Sequence, residues 1–268
     1  MTRASPLQIT SAENPRFRTL LKLHQSSRER RKAGLSLLDG VHLVAAYLEH
    51  VGAPEYVAIS RSHLDDVEIA ALLGSSTVPA PLIFSDALFR QLSSVSTPTG
   101  IIAAVRTPQP SALPAQPDAC VLLEDVQDPG NVGSIFRSAA AAGIKEVYLS
   151  TSCVQAWSPR VLRAAMGAHF SLRIHEGVDL EALARDYPGR VLAVASDSAT
   201  AFYSADLSGR VALLFGNEGS GLSASLRDAA HASISIPMPG HAESLNVAAA
   251  AAVCLFERVR QQAVSREP

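Results

Sequence analysis

The chain has 268 residues, 47% of them apolar and 18% charged, a composition that excludes a disordered or fibrous protein and gives core enough for roughly two domains. Its net charge of −2 conceals a division: residues 1–33 carry eight Lys or Arg against Glu13 and Glu29, a net of +6, which leaves −8 for the rest. The apolar run 247–256 is well short of the about 20 residues of a membrane span, no apolar stretch follows Met1-Thr2-Arg3, and Cys120, Cys153 and Cys254 show no CxxC spacing, so a cytoplasmic protein without a metal cluster is expected.

In chain order, Leu20, Leu21 and Leu23 lead into a basic helix, within an arginine-rich segment that carries Arg16, Arg18, Lys22, Arg28, Arg30, Arg31 and Lys32. Such a cluster is a candidate contact for phosphates, because cations that displace counterions supply much of the affinity for nucleic acid. A solvated helical face explains the same residues equally well. Short strands are predicted over 35–38, 56–59, 81–84 and 101–105, with helices over 41–49 and 64–73. Residues 107–118 then bring Pro108, Pro110, Pro114 and Pro117, too many prolines for a helix or a central strand, so this stretch reads as a semi-rigid linker between domains at 1–106 and 119–268.

After the linker, apolar runs at 119–123, 147–149, 191–195, 211–215 and 232–236 alternate with helical patterns. Strands apolar on both faces belong to a parallel sheet covered by helices, and the ligands of such sheets bind in the loops that follow the strands. Three of those loops carry chemistry. Asp128-Pro129-Gly130-Asn131 supplies turn and capping residues before a helical stripe of Val132, Ile135, Phe136, Ala139 and Ala140, which leaves Asn131 at the helix mouth and Arg137 off the buried face. Gly216-Asn217-Glu218-Gly219-Ser220-Gly221-Leu222-Ser223 follows a strand and allows close backbone approach, but it is neither a phosphate-binding P-loop nor a dinucleotide fingerprint. Ile236-Pro237-Met238-Pro239-Gly240-His241-Ala242-Glu243-Ser244-Leu245-Asn246 breaks its strand at two prolines and leads into an alanine-rich helix, with Ser244 expected just inside it. His241 reads as a solvated loop histidine, and His169, His175 and His231 have no Cys or Asp at ligand spacing, so no metal is expected.

Together the segments D-P-x-N-x-G-x-x-x-R, F-G-N-E-G-x-G-L-S and I-P-M-x-G-x-x-x-S-L-N-V-x-x-A, in this order over 119–260, resemble the signature motifs of the SpoU/TrmH family of SPOUT methyltransferases. More loosely, Asn14-Pro15 with Arg28 and Arg31, Leu38-Asp39-Gly40 and Thr97-Pro98-Thr99-Gly100-Ile101 are similar to the family's ribosomal-protein-like substrate-binding domain; Asp39 stands where many members have Glu. The resemblance implies an α/β catalytic domain with a parallel sheet and a C-terminal trefoil knot, a feature that general topology rules treat as nearly absent. It also implies a homodimer that binds S-adenosylmethionine and methylates a ribose 2′-hydroxyl of structured RNA, ribosomal RNA in preference to transfer RNA.

The positions that match the family's motifs are Asn131, Arg137, Glu218, Ser244 and Asn246 for catalysis. For the methyl donor they are Gly216, Asn217, Gly219, Ile236, Met238, Ser244 and Leu245, with Ala195 and Ser196 after the strand 191–195. Arg137 matches the family's catalytic arginine. A guanidinium stays protonated in proteins, so gripping a phosphate and stabilising the developing alkoxide suits it better than acting as a base. Two rival readings remain: a non-catalytic RNA-binding protein that retains the fold, and a doubly wound oxidoreductase, which the missing G-x-G-x-x-G after 121–123 disfavours.

Overall fold

The structure, a computed structural model, describes residues 6–75, 77–110 and 118–264. Arg3 and, in the proline-rich linker, residues 111–117 lie outside the described residues. The chain divides into two compact units, Met1–Pro108 with Trp157–Phe170, and Gln109–Ala156 with Ser171–Pro268.

In the first unit the elements run β1 (Leu7–Ile9), α1 (Pro15–Gln25), α2 (Ser27–Ala33), β2 (Leu35–Asp39), α3 (Val41–His50), β3 (Tyr56–Ser60), a 3-10 turn, α4 (Val67–Gly74), β4 (Leu82–Phe84), α5 (Asp86–Leu92) and β5 (Ile101–Arg106). The sheet order is β1-β4-β3-β5-β2, with β1 and β3 parallel to β4 and β5 antiparallel to both β3 and β2. Phe17, Leu20 and Leu23 line one face of α1 and pack with Phe84, Phe89, Ile102 and Ala104. The single basic helix expected from the sequence is two helices. Ser26 adopts an extended conformation, ends α1 and caps α2 by accepting from the Glu29 N–H at 3.2 Å, and Gly34 closes α2 at φ +63°. Asn14 caps α1 with Pro15 in its first turn, the arrangement that Asn-Pro favours. The three-residue β1 and the helix α5 have no periodicity long enough to declare them in the sequence.

The second half of the chain contributes β6 (Cys120–Leu123), α6 (Pro129–Ala141), β7 (Glu146–Leu149), α7 (Pro159–Ala165), β8 (Arg173–Glu176), α8 (Leu180–Asp186), β9 (Arg190–Val194), β10 (Val211–Phe215), α9 (Ala224–Ala229), β11 (Ala232–Ile234) and α10 (Val247–Val264). Of these, α7 clusters with the first unit. The six strands form a wholly parallel sheet in the order β11-β9-β10-β6-β7-β8. Strands β6 and β10 at its centre are buried throughout, as their unbroken apolar runs require. The polar strand β8, which no apolar run announces, sits at the edge. There Arg173 and His175 both bind the buried carboxylate of Glu146 on β7, with His175 Nε2 at 2.8 Å from Oε2, so polar pairing stands in for apolar burial.

Candidate active site

Parallel pairing explains why three distant segments meet. Leu123 at the end of β6 lies beside Phe215 at the end of β10, Leu214 lies beside Ala193 of β9, and Ile234 at the end of β11 lies beside Val194 of β9, so the chain leaves all four strands at one end of the sheet. The order also reverses here, since the chain runs outward from β6 to β8 and resumes on the other side of β6 with β9 and β10. Such a switch point opens a crevice between neighbouring loops.

Each loop presents its side chains by local chemistry. Asp128, not Asn131, is the N-cap of α6: its carboxylate accepts from the Asn131 N–H at 2.9 Å, and Pro129 fills the first helical position. The Asn131 side chain, in the first turn, is thereby not needed as the cap. In the loop after β10, Asn217 and Gly221 exchange two backbone hydrogen bonds of 3.0 Å, while Asn217 Oδ1 accepts from the Gly219 and Ser220 N–H groups. Asn217 Nδ2 donates to the Asp125 carbonyl at 2.9 Å and so ties this loop to the one after β6. Gly216 must be glycine, because an added Cβ would lie 2.3 Å from the Gly221 carbonyl carbon. In the third loop the helix starts later than the sequence suggests. Helix α10 begins at Val247 and Asn246 Oδ1 caps it by accepting from Ala248 and Ala249, so Ser244 lies in the loop and not inside the helix.

A directed hydrogen-bond chain results. Two backbone N–H groups occupy Asn246 Oδ1, so Nδ2 is its outward donor, and it donates to Asn131 Oδ1 at 2.9 Å. Asn131 Nδ2 in turn donates to Glu218 Oε1 at 2.7 Å. Each amide has one orientation consistent with its neighbours, and the chain ends on a carboxylate. Residues 115 and 87 positions apart in sequence are thus fixed in one row.

Beside this row is a cavity of about 370 Å³. Its walls include Ala195, Ser196, Gly216, Asn217, Gly219, Ile236, Met238, Ser244 and Leu245, together with Glu218 and Asn246. The volume is within the range of about 300–1,000 Å³ usual for small-ligand sites. Sequence reasoning missed Arg227, the one cation among the described residues that line this cavity. It binds both oxygens of Asp197, at 2.7 and 3.0 Å, and its guanidinium holds that carboxyl below the usual range. The 30-residue separation of the pair leaves no signal in the sequence.

Arg137 stands apart. It lies six residues after Asn131 on α6, about a third of a turn away around the helix, is exposed, and forms no hydrogen bond or ion pair with the described residues. It does not line the cavity. In the first unit the seven predicted RNA-contacting cations also separate. Arg30 is turned inward, 6% exposed, and donates to the carbonyls of Leu23 at 2.7 Å and His24 at 3.2 Å, which removes it from the phosphate contacts. Arg18 pairs with Glu13, and Arg16 lies over the Tyr56 ring. Lys22, Arg28, Arg31 and Lys32 are exposed.

Comparison with known proteins bears on both units. Residues 118–256 match the SpoU rRNA Methylase family and residues 14–103 the MRM3-like substrate binding domain. The chain is 30% identical to the 23S rRNA (guanosine(2553)-2′-O)-methyltransferase RlmP of Bacillus subtilis, over 93% of this chain and 98% of that one. It is 31% identical to an uncharacterised tRNA/rRNA methyltransferase of Synechocystis, over 97% and 96% of the two chains. The structure superposes on the SpoU methyltransferase AviRb of Streptomyces viridochromogenes in complex with the cofactor AdoMet with a TM-score of 0.84 at 28% identity, covering 94% of this chain and 99% of that one.

Proposed function

The chain belongs to the SpoU rRNA methylase family, and on that premise we propose that it transfers a methyl group from S-adenosylmethionine to a ribose 2′-hydroxyl of structured RNA, with ribosomal RNA as its substrate in the cytoplasm. The observation that carries this reading is the Asn246–Asn131–Glu218 row, assembled from three loops beside a cavity whose glycine cradle at Gly216 admits close approach of a ligand to the backbone. Exposed backbone, an apolar wall from Ile236, Met238 and Leu245, and the carboxylates of Glu218 and Glu243 suit a donor that carries an adenosine and a positive sulfonium. When bound, that donor supplies an electrophilic methyl group.

The chain's own residues then have to place a hydroxyl in line and manage its proton. Positioning accounts for much of the barrier reduction in such a transfer. Asn131, held at both ends of its amide, orients the ribose; Glu218 locks Asn131 and the loop after β10; Ser244 and Asn246 close the pocket. Arg137, with no partner among the described residues, grips the phosphate next to the target ribose and stabilises the developing alkoxide, the proton passing to that phosphate or to water. Because Arg137 lies outside the cavity wall of its own chain, the active species is a homodimer in which a second copy brings such an arginine to the site. Phe256 and Val259, 49% and 36% exposed on α10, give that dimer an apolar contact beside α6, on which α10 packs.

The test is methylation of bulk ribosomal RNA with labelled donor, followed by mapping of 2′-O-methyl sites in RNA from cells with and without the protein. A site that disappears with the gene and returns with the wild-type chain is expected. Arg137→Ala should lower the transfer rate about 10²- to 10³-fold, the usual cost of removing a donor to a developing oxyanion, with donor affinity retained. Unaltered transfer by that variant would remove Arg137 from the mechanism.

A further inference from the structure

Beyond the catalytic unit, the first unit contains a cavity of about 300 Å³ bordered by Pro15, Arg16, Thr19, Leu20, Tyr56 and Leu82. It opens where the core beneath α1 ends: Leu20 and Leu82 belong to that core, and Tyr56 is partly buried against it. Pro15, Arg16 and Thr19 come from the N-terminal half of α1, and Tyr56 is the first residue of β3. The Arg16 guanidinium carbon stands 5.3 Å from the centre of the Tyr56 ring. That guanidinium forms no hydrogen bond or ion pair with the described residues, so its donors are available. Thr19 Oγ1 spends its proton on the Pro15 carbonyl at 2.9 Å and keeps its lone pairs to accept.

An apolar floor, an aromatic face, a planar cation with free donors and a hydroxyl acceptor are the features that hold an unpaired nucleobase. A phosphate site would need none of the apolar floor, and an aliphatic ligand would not need the cation. The next outward position on α1 after Thr19 is Lys22, an exposed cation one helical turn along, where the backbone of a bound strand would carry its charge. We propose that this cavity receives an unpaired base of the RNA substrate, stacked on the Arg16–Tyr56 pair, and thereby makes the first unit prefer RNA with single-stranded bases to continuous duplex. The inference rests on the RNA methyltransferase reading above and adds a base contact to it.

The test measures binding of the full chain to a labelled RNA hairpin with an unpaired loop and to an uninterrupted duplex of equal length, each over a range of salt. Tyr56→Ala should weaken hairpin binding about tenfold, as removal of one base–aromatic stack does. The slope of affinity against salt should stay unchanged, because every phosphate keeps its cation. Tyr56→Phe should bind as the wild type does, and neither change should affect duplex binding. As a readout free of mutation, 4-thiouridine in the loop should photocrosslink the unaltered protein at Tyr56 or within residues 15–20. Equal hairpin affinity for a folded Tyr56→Ala variant, or crosslinks only elsewhere, overturns the base site while leaving the methyltransferase reading intact. Failure of the wild type to methylate any RNA would instead strike at that reading.

Discussion

The cavity beside the three motif loops and the basic helices show two ways in which a residue pattern becomes a surface. In the second unit, Asn131, Glu218 and Asn246 come from loops that parallel strands force to one end of the sheet, and the three side chains then satisfy one another in a fixed direction. In the first unit, seven cations close together in sequence are dispersed by a helix break at Ser26: one is buried, one paired, one laid on an aromatic ring, and four exposed. Order along the chain specifies a contact where sheet geometry collects it. Mere proximity of like charges specifies none.

The contrast can be broken at three points, beginning with the largest effect. Asn131→Ala removes both bonds from the centre of the row, and misplacing a reacting group by about 1 Å can cost about 10²-fold in rate. Single-turnover methylation should show that drop while calorimetry shows donor binding retained; a rate near wild type would mean that the row is only structural. Next, replacing Arg28, Arg31 and Lys32 together by Gln should leave thermal stability unchanged and lower the salt slope of RNA binding by about three units, roughly one for each phosphate that no longer meets a cation. An unaltered slope would reduce α2 to a solvated face. Arg30→Gln should behave in the opposite sense: urea denaturation should report a destabilisation of about 1–3 kcal/mol from carbonyls left buried without donors, and the salt slope should hold. A stable Arg30→Gln protein with a flatter slope would return Arg30 to the RNA contacts.

Several parts of this architecture are legible because local chemistry and tertiary structure agree. The apolar runs that form β6, β10 and β5 are buried in full or nearly so, and Asn14-Pro15 and Asp128-Pro129 start helices as capping chemistry requires. Illegible parts are those where a partner distant in sequence decides the outcome. Strand β8 is polar because the Glu146 carboxylate on β7 needs hydrogen-bonding partners beside it; Arg30 is buried because the carbonyls at the end of α1 need a donor; Arg227 faces the cavity because Asp197 holds it there.

Taken alone, the sequence determined the α/β class and the three motif loops, since periodicity, caps and glycine placement are properties of a few consecutive residues. Tertiary structure alone decided the direction of the hydrogen-bond row, the later start of α10 at Val247, the sorting of the N-terminal cations and the Arg16–Tyr56 cavity. The physical reason is common to all four: whether a polar side chain is a cap, a bridge or a free contact depends on which donors and acceptors folding brings within about 3 Å of it, and that distance is set by strand order, not by position along the chain.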